Sequence, residues 1–361
     1  MRASLANTLW FAASLPEARR FRRATTQVAD AQTRLLNHYL TVNRDTDYGR
    51  RSRFASITSI EDYQQRAPLT TYDDYTDLID RVANGQPNVL TAEPVQMLEQ
   101  SSGSTAASKL IPYTATLKSE FQRGLAPWIV DLYSHHPELK HGPAYWSITP
   151  LTEGRRLTPG GIRIGFEEDS AYLGPLGALV ESALAVPNLV KHIRDMATFR
   201  YVTLLFLLRQ RNLRLISVWN PTFLSLLLAP LPNWRDQLLI DIANGTITPP
   251  APLDPDVCRR LQRRLTPDPH RARELGDSNG FENPSGLWPR LDLITCWADG
   301  PSATYARALQ QQFPNVLLQP KGLLATEAFV SFPLIGKEGS LLAITSHFFE
   351  FLPAPAGSPD P

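Results

Sequence analysis

The sequence predicts a mainly α/β fold, and three observations carry that expectation. From Leu213 onward, short apolar strand-like runs alternate with helical ones, as in chains built from strand–helix–strand units. In the first third, apolar residues recur at steps of three and four, the mark of amphipathic helices. A composition of 43% hydrophobic and 20% charged residues over 361 positions is enough for a sizeable core, arranged as one large α/β domain or two smaller ones. The 31 prolines are spread along the chain, where they shorten elements and stiffen connections.

Near the N-terminus, Pro16 reads as the first turn of a long helix whose buried stripe is Phe21, Ala24, Val28, Ala31 and Leu35. Its other face carries Arg19, Arg22, Arg23 and Arg34, a solvated face in a chain whose net charge is only +1. That near-neutrality excludes a generic basic nucleic-acid binder. Thr71 and Asp74 have capping-box spacing ahead of a helix with Tyr75, Leu78, Ile79 and Val82 inward and Gly85 as its stop. Val95–Glu99 and Lys109–Tyr113 read as strands around a small-residue loop, after which Thr114 caps a helix with Leu117, Phe121, Leu125, Trp128 and Leu132 buried and a kink at Pro127. Leu213–Trp219 and Leu291–Ala298 are strand-like, Phe223–Leu228 and Ser302–Phe313 helical, and Val316–Leu318, Leu341–Ile344 and Phe348–Leu352 are short apolar runs. Residues 266–290, rich in Pro, Gly, Asp and Asn, read as an exposed loop.

The apolar region Tyr201–Leu231 is broken by Arg209, Arg211, Arg214, Asn220 and Pro221, so no membrane span is expected. The N-terminal apolar patch is poorly formed as a secretory signal, and a cytoplasmic setting is expected. Cys258 and Cys296 have neither zinc nor disulfide spacing and read as idle thiols. His135, His136 and His141 in a Pro-bounded loop are a weak metal candidate.

Chemistry concentrates in two segments. In Ser101-Ser102-Gly103-Ser104-Thr105, followed by Lys109, small residues let backbone amides approach an anion and the hydroxyls and ammonium add donors. The loop lacks the second Gly and the Ser/Thr that flank the lysine of a P-loop, and it also reads as an ordinary surface connection. The second segment is Gly322-Leu323-Leu324-Ala325-Thr326-Glu327-Ala328, where Thr and Glu at a strand end suit a phosphate and a Mg2+ ion, or simply form a turn. Arg123 is a candidate partner for a substrate carboxylate, or a surface arginine; Trp128, Trp219 and Phe223 are candidates for an acyl pocket, or core.

Taken together and in this order, the motifs resemble the GH3 family, auxin-responsive acyl-acid amido synthetases within the acyl-adenylate-forming (ANL, firefly-luciferase-like) class. The carriers are Ser101–Thr105 with Lys109 and Pro112, Ala325-Thr326-Glu327, Asn43-x-x-Thr46-x-Tyr48-Gly49, Pro68-Leu69-x-x-Tyr72-x-Asp74, and His347-Phe348-Phe349-Glu350-Phe351-Leu352-Pro353. The resemblance implies mixed sheets flanked by helices, an adenylating N-terminal domain over 1–353, and a Pro-rich tail over 354–361. It implies that Ser101, Ser102, Gly103, Ser104 and Thr105 hold ATP phosphates and that Lys109 assists catalysis. It further implies that Thr326 contacts the α-phosphate, that Glu327 binds Mg2+, and that Gly300, Ser302, Leu323 and Ala325 flank the nucleotide. The reaction implied is ATP-dependent activation of a carboxylic acid followed by amide formation with an amino acid, by a monomer. Leu323 stands where the family has tyrosine and Ala328 where it has glycine. The family's Y-R-x-G-D motif and small C-terminal domain are expected beyond residue 353 and are absent from this chain, so the expected turnover is weak. A noncatalytic nucleotide- or acyl-binding relative is the alternative.

Overall fold

The structure is a computed structural model that describes residues 2–101, 109–150, 156–165, 181 and 183–353. Ten strands occur among them: β1 (Met97–Gln100), β2 (Leu110–Tyr113), β3 (Ala144–Trp146), β4 (Arg156–Leu157), β5 (Arg163–Ile164), β6 (Leu215–Ser217), β7 (Leu293–Cys296), β8 (Leu317–Pro320), β9 (Ser331–Pro333) and β10 (Ser340–Leu342). The chain divides into two units. One comprises Met1–Ala13, Asp131–Thr152 and Glu168–Gly322; the other comprises Ser14–Val130, Glu153–Glu167 and Leu323–Pro361.

The first unit is built on a four-stranded sheet in the order β3-β6-β7-β8, every neighbouring pair parallel. All four residues of β7 are buried, as parallel strands covered on both faces require. Its core joins strand residues Ile216 and Ile294 to Leu204, Leu224, Leu238 and Leu309 from four helices. The helix Met196–Leu208 is apolar nearly all round, Arg200 being its charged residue, and Val202, Leu204, Leu205, Leu207 and Leu208 are wholly buried. Asp195 caps it by accepting from the Thr198 amide at 2.8 Å. Asn220 likewise caps Pro221–Leu228, with proline in the first turn.

Residues 266–290 are not a plain loop. They hold the helix Pro269–Gly276 and bury Phe281, Leu287 and Trp288. Asp268 starts the helix by accepting from the Arg271 amide at 2.9 Å. Arg271, 3% exposed, donates to the carbonyls of Leu208 at 2.8 Å and Leu287 at 2.6 Å. The polar composition of this stretch hid a buried arginine that satisfies carbonyls the surrounding apolar groups cannot.

The second unit carries a mixed sheet in the order β2-β1-β5-β4, with β1 antiparallel to β2 and parallel to β5. A separate antiparallel pair joins β9 and β10. The long helix expected from Pro16 through Leu35 is two helices, Arg2–Ala24 and Val28–Asn43. Thr25 and Thr26 turn their hydroxyls back onto the carbonyls of Arg22 and Arg23, at 2.8 and 2.9 Å, where the first helix ends. Pro16 sits inside that helix rather than at its start, and Pro127 lies within the helix Ala115–His135, which continues past it. Thr114 caps the latter by accepting from the Leu117 amide at 3.1 Å. The run Phe348–Leu352 forms no strand, and Phe351 and Leu352 are exposed.

Asp74 accepts from both the amide and the hydroxyl of Thr71, the capping box that the spacing predicts, although the turn it opens is a short 3-10 segment before Thr76–Ala83. These bonds hold the Asp74 carboxyl below its usual range. Among the described residues no helix is long and apolar enough to cross a membrane. Both cysteines are free, and burial pushes the Cys296 thiol up to about 11, as an idle thiol requires.

Candidate functional site

The antiparallel pair β1–β2 frames the serine-rich loop. Ser101 and Lys109 are its described ends, and the Ser101 amide donates to the Lys109 carbonyl at 2.9 Å, extending the ladder past the Gln100–Leu110 pair. Ser102, Gly103, Ser104 and Thr105 lie outside the described residues. Lys109 is exposed, with its ammonium 5.2 Å from the centre of the Tyr72 ring. Tyr72 is itself tied to β2, its hydroxyl accepting from the Leu110 amide at 2.8 Å and donating to the Leu110 carbonyl at 3.3 Å. The Pro68–Asp74 motif therefore does structural work, anchoring the strand on which the loop returns.

At the far end of β2, Tyr113 donates from its hydroxyl to the Thr326 carbonyl at 2.6 Å. Thr326 and Glu327 are the two central residues of a tight turn. The Ala325 amide donates to the Ala328 carbonyl at 3.0 Å and the reverse bond is 3.3 Å. The flanking Leu324–Phe329 bridge and the bonds from Val330 and Ser331 to the Leu323 carbonyl close a small hairpin. Phe329 packs edge-on against Phe121 at 6.4 Å and lies on Gly124 of the helix Ala115–His135, so closely that a Cβ there would fall within 2.7 Å of its Cγ. The hairpin is thereby held from two sides, by β2 and by the helix. Glu327 is exposed, and among the described residues its carboxylate makes no hydrogen bond or ion pair, nor does the Thr326 hydroxyl. Free hard oxygens at a rigid turn fit a Mg2+–phosphate group.

The same helix carries Arg123. One guanidinium nitrogen lies 3.4 Å from Glu120 Oε1, while its Nε is buried without a hydrogen-bond partner. Glu120 is 4% exposed and accepts from the Tyr39 hydroxyl at 2.8 Å. Ser346 donates to the Glu120 carbonyl at 2.5 Å, and His347 Nε2 stands 3.7 Å from Glu120 Oε2. Burial raises the Glu120 carboxyl above its usual range and lowers His347 to about 4, with the Arg123 charge pushing the histidine the same way. Arg123 is thus a partly satisfied cation in a polar pocket rather than a free surface arginine.

Other expected site residues have different surroundings. Trp128 is 4% exposed and forms core, leaving no open ring face for a ligand. In the first unit, Trp219 lies at the exit of β6 with the Lys321 ammonium 3.9 Å over its ring, and Lys321 also donates to Ser217 Oγ at 2.9 Å. Gly300 and Ser302 bound a 3-10 turn between β7 and the helix Ala303–Gln312, with Gly300 at φ +52°. Leu323 is 61% exposed, and Ala325 sits in the hairpin turn. Asn43, Thr46 and Gly49 are structural: Thr46 accepts from the Gly49 amide at 2.9 Å, and Gly49 sits where a side chain would collide with the Asn43 carbonyl. His135 and His136 contact their neighbours Asp131 and Glu138, and His141 contacts Ser4. No group of three metal-binding side chains occurs among the described residues. Sequence reasoning missed Gly124, Glu120 and Lys321, and named Tyr113 and His347 without the roles they play here, because what matters in each is a long-range contact with no local pattern.

Comparison with known proteins adds the ancestry. Residues 17–318 match the description "GH3 family N-terminal domain". An indole-3-acetic acid-amido synthetase of Oryza sativa subsp. indica, GH3.8, is 26% identical over 79% of this chain and 49% of its own length. A jasmonoyl–L-amino acid synthetase of Oryza sativa subsp. japonica, GH3.3, is 25% identical over 86% of this chain and 69% of its own. The solved structure of the GH3.15 acyl acid amido synthetase superposes with a TM-score of 0.76 at 21% identity, covering 93% of this chain and 61% of that one, which establishes the shared fold. This chain spans only 49% of the first relative and 61% of the solved structure. With its motifs, its mixed sheets and a match across most of its length, the chain belongs to the GH3 family.

Proposed function

We propose that the chain is the adenylating portion, over residues 1–353, of an ATP-dependent acyl-acid amido synthetase. The observation that carries this reading is the Thr326–Glu327 turn, locked to β2 by Tyr113 while the other end of the same strand returns from the serine-rich loop. At about 3.4 Å per residue, the four steps from Lys109 to Tyr113 span roughly 14 Å. In this reading the two segments lie at opposite ends of β2, within one unit.

In this reading Glu327 holds Mg2+, which supplies charge neutralisation on the phosphate oxygens. Thr326 offers its free hydroxyl to the α-phosphate, and Ser101–Thr105 with Lys109 hold the remaining phosphates. Arg123, with a donor to spare, takes the carboxylate of an organic acid. Bringing carboxylate oxygen and α-phosphorus together in fixed orientation is the main contribution of these residues, since the attack needs positioning and charge stabilisation rather than a protein nucleophile. The attack breaks the bond from the α-phosphorus to the leaving pyrophosphate and leaves an acyl-AMP, from which an amino acid amine, losing a proton, displaces AMP to give the amide. In this reading the enzyme is monomeric and cytoplasmic and acts on small molecules, a carboxylic acid and an amino acid. A nucleotide-binding relative without turnover is the alternative, and Leu323 and Ala328, which depart from the motif, favour it.

Calorimetry with ATP and Mg2+ tests the reading. Wild type is expected to bind, Glu327→Ala to lose at least tenfold in affinity with Mg2+ but little without it, and Ser102→Ala to lose affinity in both. Absence of ATP binding by the wild type defeats the proposal.

A further inference from the structure

The buried pocket beneath Arg123 contains a gap shaped for a proton. Ser346 has one hydroxyl hydrogen, and it is donated to the Glu120 carbonyl at 2.5 Å. Toward His347 Nδ1, 2.8 Å away, the same oxygen can therefore only accept, which places the imidazole proton on Nδ1. His347 Nε2 is then a bare acceptor. It is buried, has no hydrogen-bond partner, and faces Glu120 Oε2 at 3.7 Å. When Glu120 is ionised against Arg123, two acceptors confront each other with no hydrogen between them, an arrangement that costs free energy until one is supplied.

The present counter-charge for Glu120 is Arg123, at 3.4 Å, and the remaining support is the Tyr39 hydroxyl from the helix Val28–Asn43. Glu93, on the segment before β1, adds a more distant negative charge, and burial already raises the Glu120 carboxyl. An organic carboxylate that takes Arg123 removes the cation that Glu120 faces among the described residues and adds a second anion beside it. Arginine cannot release a proton and His347 is held neutral by burial. The group left to respond is Glu120.

We propose that a carboxylate binds at Arg123 together with one proton from solvent, which bonds to Glu120 Oε2 and is donated to His347 Nε2. Glu120 becomes a neutral acid, its O–H closing the gap to the imidazole, while Arg123 passes to the incoming carboxylate. Charge balances: one anion and one proton enter, and the pocket keeps its net charge. Glu120 and His347 are positioning residues in this scheme, selecting weak organic acids by pairing each with a proton. The inference rests on the assignment of Arg123 as carboxylate receptor.

The test is calorimetry of the full chain with indole-3-acetate, run in buffers of different ionisation enthalpy at neutral pH. The expected result is uptake approaching one proton per acid bound, with affinity falling up to tenfold per pH unit above the Glu120 titration. In Glu120→Gln the amide supplies the missing donor to His347 while its oxygen still accepts from Tyr39. Uptake should vanish there and affinity become independent of pH, at least equal to wild type. His347→Asn should still take up a proton. Wild type binding the acid without proton uptake, or uptake that persists in Glu120→Gln, overturns the proposal while leaving Arg123's assignment intact. Unchanged binding in Arg123→Met, or no binding by wild type, overturns the assignment and the inference with it.

Discussion

Asp241→Ala is expected to destabilise the first unit by about 3–5 kcal/mol, the cost of stripping a buried network of its central acceptor. Asp241 is wholly buried near the end of the helix Leu231–Asn244. Its carboxylate accepts from the Tyr201 hydroxyl at 2.6 Å, the Thr246 hydroxyl at 2.6 Å, the Thr248 amide at 2.7 Å and the Thr248 hydroxyl at 2.7 Å. Alanine would leave those four donors facing a cavity, three of them in the turn that follows Gly245, which itself sits at φ +68°. The bond from Tyr201 reaches the most buried helix of the unit, so the loss is not confined to the turn. Asp241→Asn keeps one accepting oxygen and lets a hydroxyl reverse, so it should cost roughly half as much. Urea unfolding monitored by tryptophan fluorescence measures both. A midpoint shift for Asp241→Ala worth less than about 1 kcal/mol would mean the network relaxes or hydrates and is not structurally central.

Much of the fold was legible in the sequence because it rests on local patterns. The apolar runs at β6, β7 and β8 and the capping residue Thr114 act within a few residues of themselves. What escaped reading depends on partners far along the chain. Residues 266–290 look like loop until Arg271 is seen satisfying the Leu208 carbonyl, 63 positions away. The break at Thr25–Thr26 was concealed by apolar residues spaced as for one helix, of which Val28, expected to be buried, is exposed. At the candidate site the same divide holds. Thr326 and Glu327 are conspicuous residue types in a conspicuous motif. Glu120, three positions from Arg123, reads as an ordinary i, i+3 surface pair until Tyr39 and Ser346 are found enclosing it. Trp128 and Trp219 show the limit from the other side, since aromatic type alone could not distinguish a core ring from one covered by the Lys321 ammonium.

Gly124→Ala provides a test in which two physical effects predict opposite signs. Inside a helix, glycine is about 1 kcal/mol worse than alanine, so propensity alone predicts that the change stabilises. Gly124, however, is buried under Phe329, where a Cβ would lie 2.7 Å from Cγ and 3.1 Å from Cβ of the ring residue. These atoms belong to the rigid base of the side chain, close to the hairpin backbone, and cannot swing aside as a flexible tip would. Phe329 is also fixed by Phe121 at 6.4 Å and Phe332 at 6.2 Å. The overlap should therefore be relieved by moving the hairpin, and Thr326 and Glu327 with it. Overpacking of this kind costs about 1–3 kcal/mol, enough to reverse the propensity gain. Because positioning by a fixed turn is sensitive to displacements near 1 Å, ATP–Mg2+ affinity should fall at least tenfold. Phe329→Ala in the Gly124→Ala background should restore part of both losses, a coupling that a double-mutant cycle reads directly. If Gly124→Ala raises the unfolding midpoint and leaves nucleotide affinity unchanged, the helix does not set the position of the Thr326–Glu327 turn.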